Sequence, residues 1–313
     1  MEAVVCQGLT KRYRDIAAVN RLDLAVEEGV IFGFLGPNGA GKTTTLRMLV
    51  GLIHPTGGRA FVAGEEIGRD SMSLRKKIGY LPEEPAFYAW MTGSEYLEFV
   101  GQSFQLPRTQ IRKRSRELLE MVNLDEAAGR RIGGYSRGMR QRLGIAQALM
   151  NKPSVLFLDE PSSALDPMGR VEILDTLRRL KAQATTIFLS SHILSDVERV
   201  SDVVAIINEG KLVIKAPVQE LRNRFARSLF QLEFEESAMP FVALLEGVPW
   251  VRKVETLEGS NASKLVVHAS DVPVAKSELP ALVARSGLTL RQYQLVLPSL
   301  EEVFIELVGG RQR

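Results

Sequence analysis

The sequence predicts an α/β protein built on a parallel sheet, followed by a smaller α+β domain. Three observations carry this. Short continuous apolar runs, among them VIFGFLG at 30–36 and SVLFLDEP at 154–161, suit buried parallel strands. Helical patterns separate these runs, and strands alternating with helices imply a parallel sheet. After about residue 220 the texture changes to a β-α-β-β-α-β order. A length of 313 residues accommodates two domains, expected at 1–220 and 221–313.

The elements follow in order. EAVVCQGLTKRY and AVNRLDLAVEEG read as two strands joined by a turn, an antiparallel N-terminal β subdomain. VIFGFLG runs directly into PNGAGKTTTLRMLVGL, a glycine-rich turn and then a helix. From about 84 to 150 the pattern is helical, through YLEFVGQSF, IRKRSRELLEMVNL and SRGMRQRLGIAQALM. In the last of these, Met139, Leu143, Ala146 and Met150 recur at helical spacing and predict a buried stripe. SVLFLDEP is a strand ending in carboxylates. A helix at about 168–182, the strand TTIFLSSH, a helix at about 193–200 and a hairpin around Glu209-Gly210 complete the first domain. In the second, LFQLEFEE alternates Phe230, Leu232 and Phe234 with Gln231, Glu233 and Glu235. A helix near 237–246, strands near 250–257 and 264–269, a helix near 277–286, a strand near 288–297 and a last helix, SLEEVFIELV, follow. There is no tandem repeat and no low-complexity segment.

Composition narrows the function classes. The chain is 45% hydrophobic and 25% charged, ordinary values for a soluble globular protein. A net charge of +3, from 40 basic and 37 acidic residues, is a weak argument for a nucleic-acid partner, and none is expected. The basic run RTQIRKRSRE at 108–117 reads as a solvated helix face, with a membrane-surface or partner contact as the alternative. A single cysteine, Cys6, forms no intrachain disulfide and fits a reducing cytosol. The N-terminal MEAVVCQGLTKRYRD lacks an export-signal pattern. No apolar run reaches the roughly 18–20 residues that span a bilayer, so any membrane role is expected to come through a partner.

Two stretches carry phosphate chemistry. Gly36-Pro37-Asn38-Gly39-Ala40-Gly41-Lys42-Thr43 fits G-x-x-x-x-G-K-[ST] in full, with a strand before it and a helix after. Its glycines let backbone N–H groups turn inward onto phosphates. Lys42 supplies charge to the β- and γ-phosphates, the Thr43 hydroxyl can ligate Mg²⁺, and Thr44 continues the cradle. Asp159 ends an apolar strand, where a carboxylate can hold Mg²⁺ through water. Glu160, next to it, is placed to orient or deprotonate an attacking water. The second stretch, GYSRGMRQRLG at 134–144, sets Ser136 and Gly138 before a helical pattern, as a chain does to hold an anion at a helix N-terminus.

With GPNGAGKTT, YSRGM and LFLDEP in this order, residues 3–220 resemble the ATPase subunit of ABC transporters, a P-loop NTPase core with a helical subdomain at about 84–150. The resemblance implies ATP and Mg²⁺ as ligands. It also implies that two such chains face each other head to tail, the phosphate loop of one and the Ser136–Gly138 lid of the other sandwiching ATP. Ser163-Ala164-Leu165-Asp166 then lines the dimer interface, with Asp166 at the nucleotide. His192 contacts the γ-phosphate, and Tyr13 stacks on adenine. Read without the resemblance, His192 is a capping or packing residue and Tyr13 a surface turn residue. This chain has the parts of both half-sites, so a homodimer is the simplest assembly, with a heterodimer open.

Two departures stand out. The family usually has Leu-Ser-Gly-Gly-Gln where this chain has Tyr135-Ser136-Arg137-Gly138-Met139. Arg137 either adds positive charge near the triphosphate or points to solvent. In YLPEEP, Glu83 stands where the family usually has glutamine, near Mg²⁺ and the attacking water. The extra charge either strengthens Mg²⁺ binding or repels the γ-phosphate. The aromatics Phe87, Tyr88, Trp90 and Tyr96 are expected either to receive a short helix of a membrane permease or to pack internally. PSLEEVFIEL resembles the closing segment of ATPases serving ABC-2-type exporters of the daunorubicin-resistance kind. The resemblance therefore implies the motor of an exporter, on the cytoplasmic face of the membrane through its permease. The competing reading is a soluble ABC ATPase acting on ribosomes or DNA. A single ATPase domain, one cysteine and the lack of sustained heptads stand against it.

Overall fold

The computed structural model describes residues 1–68, 72–163, 165–225, 229–256 and 263–309. The chain divides into two compact units, one from Met1 to Val218 together with the closing residues from Phe304, the other Gln219–Val303. The closing residues, expected in the second domain, thus group with the first.

The first unit runs β1 (Glu2–Tyr13), β2 (Ile16–Glu27), β3 (Ile31–Leu35), α1 (Lys42–Leu49), β4 (Gly57–Val62), β5 (Glu65–Glu66), α2 (Met72–Lys77), β6 (Ile78–Leu81), α3 (Gly93–Ser103) and α4 (Arg108–Met121). It continues α5 (Arg137–Ala148), β7 (Val155–Asp159), α6 (Pro167–Lys181), β8 (Thr186–Ser191), α7 (Leu194–Val200), β9 (Val203–Asn208) and β10 (Lys211–Pro217). One sheet is antiparallel, in the order β2-β1-β4-β5. The other has the order β10-β9-β3-β8-β7-β6. All its neighbours are parallel except β10, which returns along β9. Every residue of β3, β7 and β8 is buried, the reason these strands are unbroken apolar runs rather than alternating ones. Glu209 and Gly210, at φ 49° and 74°, make the two-residue turn of the β9–β10 hairpin.

A helix, α8 (Val218–Arg224), leads to the second unit: β11 (Leu229–Phe234), α9 (Met239–Leu245), β12 (Val251–Thr256), β13 (Lys264–Ala269), α10 (Val272–Ser286) and β14 (Leu290–Leu295). Its antiparallel sheet has the order β12-β13-β11-β14. Phe230, Leu232 and Phe234 are buried in one core with Phe241, Trp250, Leu265 and Leu279, as the alternation of LFQLEFEE predicts. The chain closes with α11 (Leu300–Gly309).

Several expectations shift. The segment from 84 to 92 is not helical. Pro82 and Pro85 disfavour helix there, and α3 starts only where Thr92 and Glu95 form a capping box. Met150 lies beyond the end of α5, although it is buried as predicted; Met139 is only half-buried. The helix expected near 277–286 starts at Val272, where the Asp271 carboxylate accepts from the Val274 N–H and Pro273 sits in the first turn. The basic run forms α4, which buries Ile111, Leu118 and Leu119 and leaves Arg112, Lys113 and Arg116 exposed. Of the four aromatics, Tyr88 and Trp90 are exposed and Phe87 is half-buried. Tyr96 is buried, its hydroxyl donating to Gln147 Oε1 at 2.9 Å.

Candidate functional site

The site forms at the C-terminal ends of β3, β7 and β8, the edge where a parallel sheet leaves room for a ligand. The chain leaves β3 through the loop 36–41 and enters α1, whose first N–H groups have no helical partner and face an incoming anion. Gly41 is left-handed at φ 102°, and a Cβ there would come 2.3 Å from the Ala18 carbonyl oxygen. The Gly210 N–H donates to Ala40 O at 3.0 Å, and the Asn20 N–H to Gly210 O at 2.9 Å. The loop is therefore braced from two sides, by β2 and by the β9–β10 turn.

Lys42 is buried. Its Nζ donates to Gly36 O at 2.8 Å and stands 3.4 Å from Glu160 Oε1. The Thr43 hydroxyl donates to Asp159 Oδ1 at 3.2 Å. The β7–β8 register sets Asp159 beside Ser190, whose hydroxyl donates to the same oxygen at 2.6 Å. Burial pushes the Asp159 carboxyl above the usual carboxylate range; the Ser190 and Thr43 hydrogen bonds oppose that shift, and the neighbouring Glu160 charge adds to it.

Glu160 is buried and left-handed at φ 50°. A non-glycine residue held there carries roughly 1–2 kcal/mol of strain. Its backbone N–H donates to Ser190 O at 3.1 Å, and its Oε2 accepts from the His192 N–H at 3.1 Å and meets His192 Nδ1 at 2.8 Å. The carboxylate is thus aimed inward, with Lys42 on one oxygen and His192 on the other.

These groups border a cavity of about 410 Å³ that brings Tyr13, Glu83 and His192 together with Pro37, Asn38, Gly39, Gly41, Lys42, Thr43, Thr44 and Glu160. Gly36, Ala40 and Asp159 are buried. Tyr13 is half-exposed, with Lys11 Nζ 5.2 Å from its ring centroid. Two residues were not singled out in the sequence: Ala18, which lines the cavity, and Ser190, the buried partner of Asp159. Ser190 is visible only through strand register.

Ser136, Gly138 and Asp166 lie outside this cavity. Ser136 is the N-cap of α5, its Oγ accepting from the Met139 N–H at 3.2 Å; Asp166 caps α6 through the Gly169 N–H at 2.9 Å. At Gly138 a Cβ would have its nearest neighbours at 3.7 Å (Leu165 Cδ2) and 3.9 Å (Ser136 Oγ). Nothing within the described chain requires glycine there. Ala164 lies outside the described residues.

Residues 19–163 match the family described as ABC transporter, and residues 217–308 the C-terminal domain of DrrA1-3-like ATP-binding proteins. The chain is 42% identical to an uncharacterized ABC transporter ATP-binding protein, YxlF, of Bacillus subtilis (strain 168), over 96% of this chain and 98% of that one. It is 37% identical to the bacitracin transport ATP-binding protein BcrA of Bacillus licheniformis, over 96% of each. Among solved structures, a dimeric post-hydrolysis state of the ATP-binding cassette MJ0796, bound to ADP and Pi, is similar at a TM-score of 0.63 and 25% identity, covering 69% of this chain and 98% of that one. Among the described residues, no helix is long and apolar enough to cross a membrane.

Proposed function

The chain belongs to the ATP-binding proteins of ABC transporters, which bind and hydrolyse ATP, and from this we propose that it is the motor of an ABC-2-type exporter working as a homodimer on a separate membrane permease. The observation that carries the reading is the split site. The phosphate loop, Glu160 and His192 line the cavity of one chain, whereas Ser136, the cap of α5, and Gly138 are not among its lining residues. A cavity open on one side needs donors from elsewhere, and the N-terminus of α5 in a second chain supplies a hydroxyl and helix amides. The similarity to a dimeric cassette supports this arrangement, and the bacitracin transport relative supports export. The permease holds the motor at the cytoplasmic face of the membrane.

In the proposed mechanism, Tyr13 stacks on adenine while the amides of 36–41 and Lys42 hold the phosphates. The Thr43 hydroxyl and the Asp159 carboxylate, 3.2 Å apart, are hard oxygen donors of the kind Mg²⁺ accepts beside phosphate oxygens, with Glu83 on the same cavity wall. Mg²⁺ held there would neutralise phosphate charge and polarise the γ-phosphoryl group. Glu160 accepts the proton of the attacking water, and His192 orients that carboxylate and reaches the γ-phosphate. Closure draws Asp166 and the Ser136 lid of each chain to the other's nucleotide; loss of the γ-phosphate contacts reopens them. The test is the dependence of turnover on protein concentration. A sandwich makes specific activity rise with concentration until all chains are paired; specific activity independent of concentration, in a chain that light scattering shows to be single, would overturn the shared site.

A further inference from the structure

Glu83 borders two spaces. One is the nucleotide cavity, shared with Thr43, Glu160 and His192. The other is an adjoining cleft of about 210 Å³, shared with Glu84, Arg137 and Arg140. Both arginines are exposed and sit in the first turn of α5, the helix capped by Ser136. Neither charge suits its own place. A carboxylate on the wall of a polyphosphate cavity repels the ligand, and cations in the first turn of a helix oppose its dipole. Arg137 and Arg140 line the same cleft as Glu83 and Glu84. Inside the nucleotide cavity, Lys42 is already engaged by Glu160 and the Gly36 carbonyl, so it is not a free counter-charge for Glu83.

We propose that Arg137, seconded by Arg140, is a positioning residue for Glu83. In the free chain it neutralises the carboxylate beside that chain's own triphosphate, and on closure it exchanges that carboxylate for the γ-phosphate held by the second chain. The proposal rests on the lid reading above. Its consequence is that the two nucleotides of a dimer communicate through one side chain. When the lid of a chain engages its partner's ATP, Glu83 of that same chain is released toward the water and cation of its own ATP. Binding at one site then favours the reactive arrangement at the other, a coupling between sites rather than a contact at either.

The test is a double-mutant cycle on the full chain at nanomolar concentration, reading the binding of a fluorescent ATP analogue with Mg²⁺ chelated. Arg137→Gln is expected to weaken binding about fivefold in the native background, within the usual range for coupled charges. Arg137→Lys restores it, because the charge and not the guanidinium fork is needed. In a Glu83→Gln background, Arg137→Gln changes nothing. No change in the native background, or the same loss in both, overturns the proposal. The lid reading is tested apart from it, by light scattering of the Glu160→Gln chain in excess MgATP. A chain that stays single there sinks the lid while leaving the cycle readable.

Discussion

Lys42 Nζ and Glu160 Oε1, both buried, stand 3.4 Å apart. The lysine proposed to hold phosphate is engaged by the carboxylate proposed to activate water. Glu160→Gln removes that competitor together with a negative charge facing the triphosphate. The variant is expected to bind ATP about tenfold more tightly, a modest share of the Coulomb energy at this separation. It should lose roughly 10²–10⁴ in turnover, the usual contribution of a general base. Calorimetric titration and a phosphate-release assay check the two halves. Unchanged turnover would remove Glu160 from the role of base.

Asp159 predicts a pH dependence of stability. Its carboxyl is held above the ordinary value in the folded chain, so the folded state binds this proton more tightly than the unfolded state. Its contribution is therefore most favourable below the unfolded value and is lost as pH rises through the folded one. Asp159→Asn keeps an acceptor for Thr43 and Ser190 without the buried charge. Urea unfolding of the nucleotide-free chains between pH 4 and 8 should show the variant gaining on the native chain as pH rises. The variant's melting point should be raised by about 2–4 °C at neutral pH, with stabilisation by Mg²⁺ and ATP together lost. A difference that does not change with pH refutes the assignment.

Ser136 tests the division of labour between chains. Ser136→Arg places a long cation where the proposed lid must approach, at a residue outside the lining of the cavity that the same chain offers. ATP affinity of the single chain is expected to be unchanged, while turnover falls by roughly 10²–10³, as when one donor to a developing charge is removed. Equal losses in affinity and turnover would show that the residue serves its own chain's nucleotide.

Cys6 is buried, and desolvation first, then the nearby Asp23 charge, push its thiol up to about 12. The thiolate is the reactive form, so the folded protein should resist thiol-specific reagents at pH 8. It should react promptly once unfolded in urea. Rapid labelling of the native chain would contradict its burial.

What was legible in the sequence was local. The phosphate loop is one turn between a strand and a helix, so its eight residues carry their own geometry, and Asp159 is marked by the end of an apolar run. Features that depend on distant parts of the chain were hidden. Ser190 meets Asp159 only because β7 and β8 run in register. β6 has only four residues, and β4 starts on exposed Gly57 and Gly58, so neither has an apolar run long enough to stand out. Tyr96 looks like a candidate surface aromatic beside Tyr88 and Trp90. Position on α3 turns it inward to Gln147, and residue type alone does not carry that information.

The bracing of the phosphate loop has a kinetic consequence. With Gly41 pressed against the Ala18 carbonyl and Ala40 O bonded to the Gly210 N–H, the shape of the loop is held by contacts within the chain itself. The entropy of ordering it is lost once, during folding, and not again at each catalytic cycle. Under the proposed two-chain mechanism, nucleotide capture by the single chain is then expected to be set by diffusion and charge, and the slow step of the cycle to lie in the meeting and parting of the two chains.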